Sequence, residues 1–171
     1  LNQLKKNCIG GFVLTCLGKN KKFKIIDTPI QNNYSIKLLK SALQLNKFEF
    51  DLVSFNERGS DERQFCSPNV NLPFTSLVNE KYGEYKEYHT SLDNIDFIDE
   101  LAIQNSVNVL SSLIELAETN CKPFLKCLGE PKLDKFDIYP KKNTKLTRKS
   151  VKNLMNFLSY CNGNNDLIDI R

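Results

Sequence analysis

The chain is poor in the features that would send a reading elsewhere. It has no apolar run approaching the length of a membrane span and nothing shaped like a secretory signal, which sets aside a spanning segment and an exported leader. None of its six cysteines forms a Cys-x-x-Cys pair, so a structural zinc site of that type is excluded. It has no internal repeat and no low-complexity stretch. It holds a single histidine, His89. The net charge of +4 is mild, without the sharp basic bias of a dedicated nucleic-acid binder.

What is present is ordinary for one globular domain: 171 residues, 40% hydrophobic and 26% charged, enough chain to bury a sizeable core. A chain of this size does not need disulfides. The reading is six free thiols, Cys8, Cys16, Cys66, Cys121, Cys127 and Cys161, in a reducing, cytoplasmic compartment. The chain opens on Leu1 and closes on Arg171 just as a helix begins, and is read as a piece of a longer polypeptide.

The residues from Cys8 to Leu17, apolar with Gly and β-branched members, read as a strand buried on both faces. Phe23 to Ile26 reads as a short edge strand. Asn33 to Leu45 has helical apolar spacing, and Phe48 to Phe55 reads as a second main strand. Asn56 to Asn71 is predicted as a long loop, Leu72 to Val78 as a third strand, and Asp96 to Thr119 as a long helix capped by Asp93, Asn94 or Asp96. Cys121 to Asn143 carries three prolines and reads as an irregular wrap. Lys149 to Tyr160 is an amphipathic helix, and Asp166 to Ile170 the first turn of another. Strands alternating with helices predict an α/β sandwich with a partly parallel sheet, in which Cys8–Leu17, Phe48–Phe55 and Leu72–Val78 are expected as neighbouring buried strands. The organisation expected is residues 1–120 as α/β domain, 121–146 as wrap or linker, and 147–171 as the start of a small helical module.

Two segments have neither core periodicity nor low complexity. One is Arg58-Gly-Ser-Asp-Glu-Arg-Gln-Phe-Cys-Ser-Pro68. The other runs from Lys81 to Asp99 and packs Tyr82, Tyr85 and Tyr88 ahead of His89, with Asp93, Asp96 and Asp99 behind it. Ionisable, turn-rich segments between regular elements are where functional loops are found. His89 offers the residue type that most often binds zinc; the bland alternative is a histidine packed at the start of a helix. Asp61 and Glu62 offer anionic oxygens to a metal or a carboxylate base, or simply a solvated turn after Gly59-Ser60. On an extended loop, neighbours point opposite ways, so both would not touch one metal. The two segments follow the strands Phe48–Phe55 and Leu72–Val78; if those are parallel, Asp61 and His89 are expected to face one cleft at the strands' carboxyl ends. Arg58 and Arg63 offer bidentate forks to a substrate carboxylate, or internal pairing with Asp61, Glu62 or Glu57. The tyrosines are pocket lining or plain packing, with Tyr88 the best placed to act because it adjoins His89.

Gly59-Ser-Asp-Glu62, then Leu72-Pro-Phe74, then Tyr88-His-Thr-Ser-Leu-Asp-Asn-Ile-Asp-Phe-Ile98 resembles the second half of the co-catalytic zinc aminopeptidase fold. The match is nearer still to a bacterial family of aminopeptidase-like domain proteins, often encoded beside surface-polysaccharide genes. Its members look like Gly59 to Pro68 and Lys81 to Asp93 almost letter for letter, with Gly129 to Leu133 and Ile138 to Pro140 similar to later blocks. The resemblance implies an α/β three-layer sandwich with a mixed, mostly parallel sheet. It implies a zinc-dependent hydrolase that cleaves an amide by metal-activated water, acting on a small peptide or an amide-bearing small molecule such as a sugar. By the same likeness His89 is a metal ligand, Asp61 a ligand or an outer-shell partner, and Asp93 an outer-shell partner of His89. Tyr88 and Glu62 are the candidate catalytic groups, with Glu62 standing where the family carries histidine. Once His89 is given to the metal, Cys66 has no base left to make it a nucleophile. The family's remaining zinc motifs and its glutamate base would lie ahead of Leu1, and Lys19 stands where the family has an acidic residue. The alternative is a binding or assembly domain that keeps the fold without a full metal site; a third class is a regulatory protein acting through its C-terminal helices. The basic run Lys141, Lys142, Lys145, Arg148, Lys149 and Lys152 resembles the start of a winged-helix module, yet no recognition helix follows, so nucleic acid is not the expected partner. A membrane is not expected either, and a homo-oligomer is left open.

Overall fold

The structure is a computed structural model that describes residues 2–19, 21–136, 138 and 145–171. The expected motif residues Tyr139 and Pro140, and Lys141 and Lys142 of the basic run, lie outside the described residues. The chain divides into two compact units, Leu1–Glu118 and Thr119–Arg171.

The first unit is α/β. Its strands are β1 (Gly11–Leu14), β2 (Phe23–Ile26), β3 (Phe50–Val53) and β4 (Phe74–Val78), in the sheet order β1-β4-β2-β3. The β1–β4 and β2–β3 pairs are parallel, and β2–β4 is antiparallel. The sheet is therefore mixed and mostly parallel. Successive strand residues point to opposite faces, and Ile25 and Ile26 are both fully buried, as are Leu77 and Val78. Both faces of the sheet are covered, which is the arrangement of a sandwich. Each such aliphatic side chain contributes about 1.5–3 kcal/mol by leaving water.

Helix α1 (Asn2–Asn7) leads into β1, and α2 (Tyr34–Leu45) crosses from β2 to β3. Asn33 caps α2 by accepting from the Ser35 and Ile36 amides, while Leu38, Leu39, Ala42 and Leu43 form its buried stripe. Ser35 then ties the helix to the sheet: its hydroxyl accepts from the Gly11 N–H at 2.9 Å and donates to the Pro73 carbonyl at 2.6 Å. The backbone can run this close only because Gly11 has no side chain, since a Cβ there would sit 2.3 Å from the Phe74 ring. The 20-residue helix α4 (Glu100–Thr119) buries Ala102, Ser106, Val109 and Leu113.

Five expectations need correction. Cys8–Leu17, read as a strand buried on both faces, supplies the shorter edge strand β1, in which only Val13 is buried and Leu14 is exposed. Phe23–Ile26, read as an edge strand, is an inner strand of the sheet, because three of its four residues are fully buried. The stretch Phe48–Phe55, read as a buried neighbour of Leu72–Val78, supplies the edge strand β3, whose Asp51 and Leu52 are exposed and which is separated from β4 by β2. The cap of α4 is Asp99, whose carboxylate accepts from the Leu101 N–H at 2.9 Å, while Asn94 caps the short 3-10 turn Ile95–Phe97. The loop predicted over Asn56–Asn71 contains one helical turn, α3 (Glu62–Phe65).

In the second unit, α5 (Lys145–Ser159) and α6 (Leu167–Ile170) are joined to the proline-rich segment by the Phe124–Asn162 bridge and by the Leu167 N–H to Cys121 carbonyl bond at 3.0 Å. Asp166 and Asp169 close a reciprocal capping box on α6. All six cysteines are unpaired. Thiol titration of the denatured, unreduced protein should therefore find six free groups; recovering none would overturn the reducing-compartment reading. Among the described residues, no helix is long and apolar enough to cross a membrane.

Candidate functional site

Strands β1 and β4 run side by side in the same direction, so their carboxyl ends open on one edge of the sheet. Open α/β sheets bind ligands beyond strand carboxyl ends. A cleft of 460 Å³ lies there, lined by the segment Leu14–Lys19 after β1, by Glu80, Tyr85, Tyr88, His89 and Asp93 after β4, and by Phe97, Ile98 and Ile103 leading into α4. The three walls are stitched by backbone bonds. The Asn79 N–H donates to the Cys16 carbonyl at 3.1 Å, and the Asp99 N–H to the Gly18 carbonyl at 2.8 Å.

The aromatic residues form a continuous set. Tyr85 stacks on Phe97 with ring centres 5.5 Å apart and meets Tyr88 edge-on at 5.6 Å, and Tyr88 lies flat against His89 at 4.0 Å. The Tyr85 hydroxyl donates to the Cys16 sulfur at 3.3 Å. Burial first, and then the Cys16 partner, pushes the Tyr85 phenol above its ordinary value of 10.0, so it stays protonated and remains a donor at neutral pH. Cys16 and His89 both have left-handed backbone, at φ 52° and 58°. Such residues are uncommon outside glycine and concentrate at functional sites. His89 is exposed, and Tyr88 is half-buried.

The Gly59–Glu62 segment does not line this cleft, although it packs on the residues that follow β4. Strand β3 runs parallel to β2 and therefore opposite to β4, so its carboxyl end opens on the other edge of the sheet. The chain then returns along the sheet, held by an ion pair between Glu57 and Lys81. Glu62 is fully buried. Its Oε1 accepts from the Gly59 N–H at 2.8 Å, the Ser60 N–H at 3.0 Å and the Tyr82 hydroxyl at 2.9 Å; its Oε2 accepts from the Ser76 hydroxyl at 2.6 Å. Burial is the largest single influence on this carboxyl and pushes it up, but the four donors together outweigh it and hold it below its ordinary value. The same contact, after burial itself, pushes the Tyr82 phenol well above its usual range. Gly59 is needed for this packing, because a Cβ would lie 2.1 Å from the Tyr82 ring.

Of the residues picked out by sequence, the fold brings Tyr88, His89 and Asp93 into one cleft. Glu62, expected as a catalytic group, is a buried tie whose oxygens are already engaged. Asp61, Arg58 and Arg63 are exposed and do not line the cleft; the Arg58 guanidinium lies 4.6 Å over its own neighbour Phe55 and donates to that residue's carbonyl. Asp61 and His89 were expected to share a cleft on the assumption that β3 and β4 are parallel, and they are antiparallel. Sequence reading passed over Cys16, Glu80 and Phe97. Reading the first strand through to Leu17 hid Cys16 inside it, whereas β1 ends at Leu14. Among the described residues, no group of three or more His, Cys, Asp or Glu side chains stands together as a metal site.

A curated relative and a solved structure are similar to this chain. A Clostridium acetobutylicum protein named "Putative polysaccharide biosynthesis protein with aminopeptidase-like domain" is 36% identical over 143 residues, covering 78% of this chain and 31% of its own length. A crystal structure described as a "putative peptidase" from the same organism superposes with a TM-score of 0.77 at 27% identity, covering 99% of this chain and 37% of that one. This chain thus spans about a third of each, and the fold of its α/β part is peptidase-like. Residues 119–171 match the family model described as winged helix-turn-helix. Residues 1–120 match the model of a domain of unknown function, DUF4910, and the chain belongs to that family.

Proposed function

We propose that this chain carries part of the active site of an amide hydrolase of the aminopeptidase-like kind. Its substrate would be a small peptide or an amide-bearing small molecule, and its working surface the cleft between the β1 and β4 ends. The observation that carries the reading is the convergence on this cleft of the chain's single imidazole, an aromatic wall and Asp93, at the carboxyl edge of a parallel strand pair. The peptidase-like fold and the relative's aminopeptidase-like domain support it.

Zinc enters the proposal in a restricted form. The described residues offer His89 with Asp93 in the same cleft, but no three-ligand group, so they do not hold the ion by themselves. His89 would give one nitrogen, and the other ligands would come from outside the described residues. When bound, such an ion polarises a carbonyl and lowers the pKa of its water. This chain's own residues bind and orient. Tyr88, stacked on His89, restricts the imidazole's rotation, and Asp93 is the group available to fix its tautomer. Tyr85, protonated and fixed on Cys16, holds the aromatic wall in place. Glu62 secures the loop that presents them through Tyr82. Asp61, Arg58 and Arg63 take no part, since none of them lines the cleft.

The test is hydrolysis of L-leucinamide and of short peptides by the full-length gene product with zinc supplied. Release of the free amino acid, lost in His89→Asn, is the expected result. No turnover on any of these by protein with bound zinc would favour the binding-domain alternative.

A further inference from the structure

We infer that Lys19 is the anchor for an anionic group, a carboxylate, on the ligand of the β1–β4 cleft, so that the site takes substrates pairing a carboxylate with an apolar side chain. This deepens the reading of the cleft given above and rests on it.

Among the described residues, Lys19 is the only lysine or arginine in the cleft lining. The residue is half-buried, and its ammonium sits 4.1 Å from the centre of the Phe97 ring. A cation held over an aromatic face is attracted by the ring's negative surface and placed there with little freedom. The plate beneath it is fixed in turn. Phe97 stacks on Tyr85, Tyr85 is bonded to Cys16, and the Gly18 carbonyl next to Lys19 accepts from Asp99. Lysines further along the same segment behave differently: Lys22 pairs with Asp51 and Lys24 with Glu84, both at 2.6 Å. No described carboxylate pairs with Lys19.

A half-buried lysine held over an aromatic face, with no described carboxylate paired to it, gains from an anion supplied by a ligand. The cleft also contains Glu80 and Asp93, so a carboxylate is favoured only where it meets Lys19. Leu14, Leu17, Ile98 and Ile103 supply the apolar part of the lining. Binding pockets combine such a lining with a few fixed polar groups that set orientation.

His89 reports on the cleft directly, because a chain with one histidine gives a single imidazole Cε1–H resonance. The probes are N-acetyl-L-leucine and its uncharged counterpart N-acetyl-L-leucinamide, titrated into the chain by NMR. Both should shift the His89 signal, the acid binding about tenfold more tightly, as one charge-assisted contact allows. Lys19→Gln should abolish the acid's advantage and leave the amide's affinity unchanged. Equal affinities in the wild type, or an advantage that survives Lys19→Gln, would overturn the Lys19 assignment while leaving the cleft a ligand site. No shift with either probe would overturn both the assignment and the cleft.

Discussion

Replacing Glu62 with alanine should destabilise the first unit by about 4 kcal/mol, read as a fall in the denaturation midpoint at unchanged slope. The carboxylate is fully buried and accepts from two backbone amides and two hydroxyls, drawn from its own loop, from β4 and from the tyrosine-rich segment. A buried donor left without a partner costs about 1–3 kcal/mol. Of the four donors only the Ser76 hydroxyl is fully buried and bears that cost in full; the Gly59 and Ser60 amides and the Tyr82 hydroxyl, at part-buried positions, recover part of theirs from water. Glu62→Gln keeps the shape but sets an amide N–H₂ against donors, so it should fall between wild type and Glu62→Ala. The acid limb carries the same information. A carboxyl held below its ordinary value of 4.5 in the folded state contributes its full stability above that value. The contribution disappears as pH falls through the lower folded value. The wild type should therefore lose stability in that acid window, and Glu62→Gln should show a flatter profile there. Equal stability of Glu62→Ala and wild type at neutral pH would mean that the carboxylate does not organise the loop.

The two loops that drew notice in the sequence are tied to each other through Glu62 and Tyr82, but only the second lines the cleft. Tyr88, His89 and Asp93 were legible because a dense run of ionisable and aromatic residues between a strand and a helix has no packing period to explain it. Glu62 was legible as unusual but not as buried. Nothing in a Gly-Ser-Asp-Glu string tells that the glutamate turns inward onto Ser76, since that depends on a strand lying against it in space. Strand direction was the larger loss. The apolar pattern of Phe48–Phe55 and Leu72–Val78 marks both as strands, yet pattern carries no sign for parallel or antiparallel pairing. Asp61 was consequently expected beside His89. The edge-strand reading of Phe23–Ile26 failed for a related reason: four residues are too short a run to separate an edge from a centre by periodicity. Helix α2 was read to within a residue of both ends and α4 to its last residue, because their apolar stripes persist over several turns; the start of α4 was read four residues early because the Ile95–Phe97 turn continues its apolar pattern.

His89 carries the functional account, and its removal should have the largest effect on ligand chemistry. It is exposed, so its loss should leave the core intact, although its backbone at φ 58° places a strain on most replacements. Asparagine tolerates the left-handed region, which makes His89→Asn the variant that preserves the turn and His89→Ala the stricter deletion. Asp93→Ala should lower zinc affinity within the roughly 10–100-fold range typical of a partner that only orients a ligand. The most direct measurement is zinc calorimetry on the full-length gene product, comparing wild type, His89→Asn and His89→Ala. The account expects both His89 variants to lose affinity by far more than that range while retaining the wild-type far-ultraviolet circular dichroism. Equal zinc affinity in wild type and both variants would make His89 a structural residue and contradict the assignment of the cleft as a hydrolytic site.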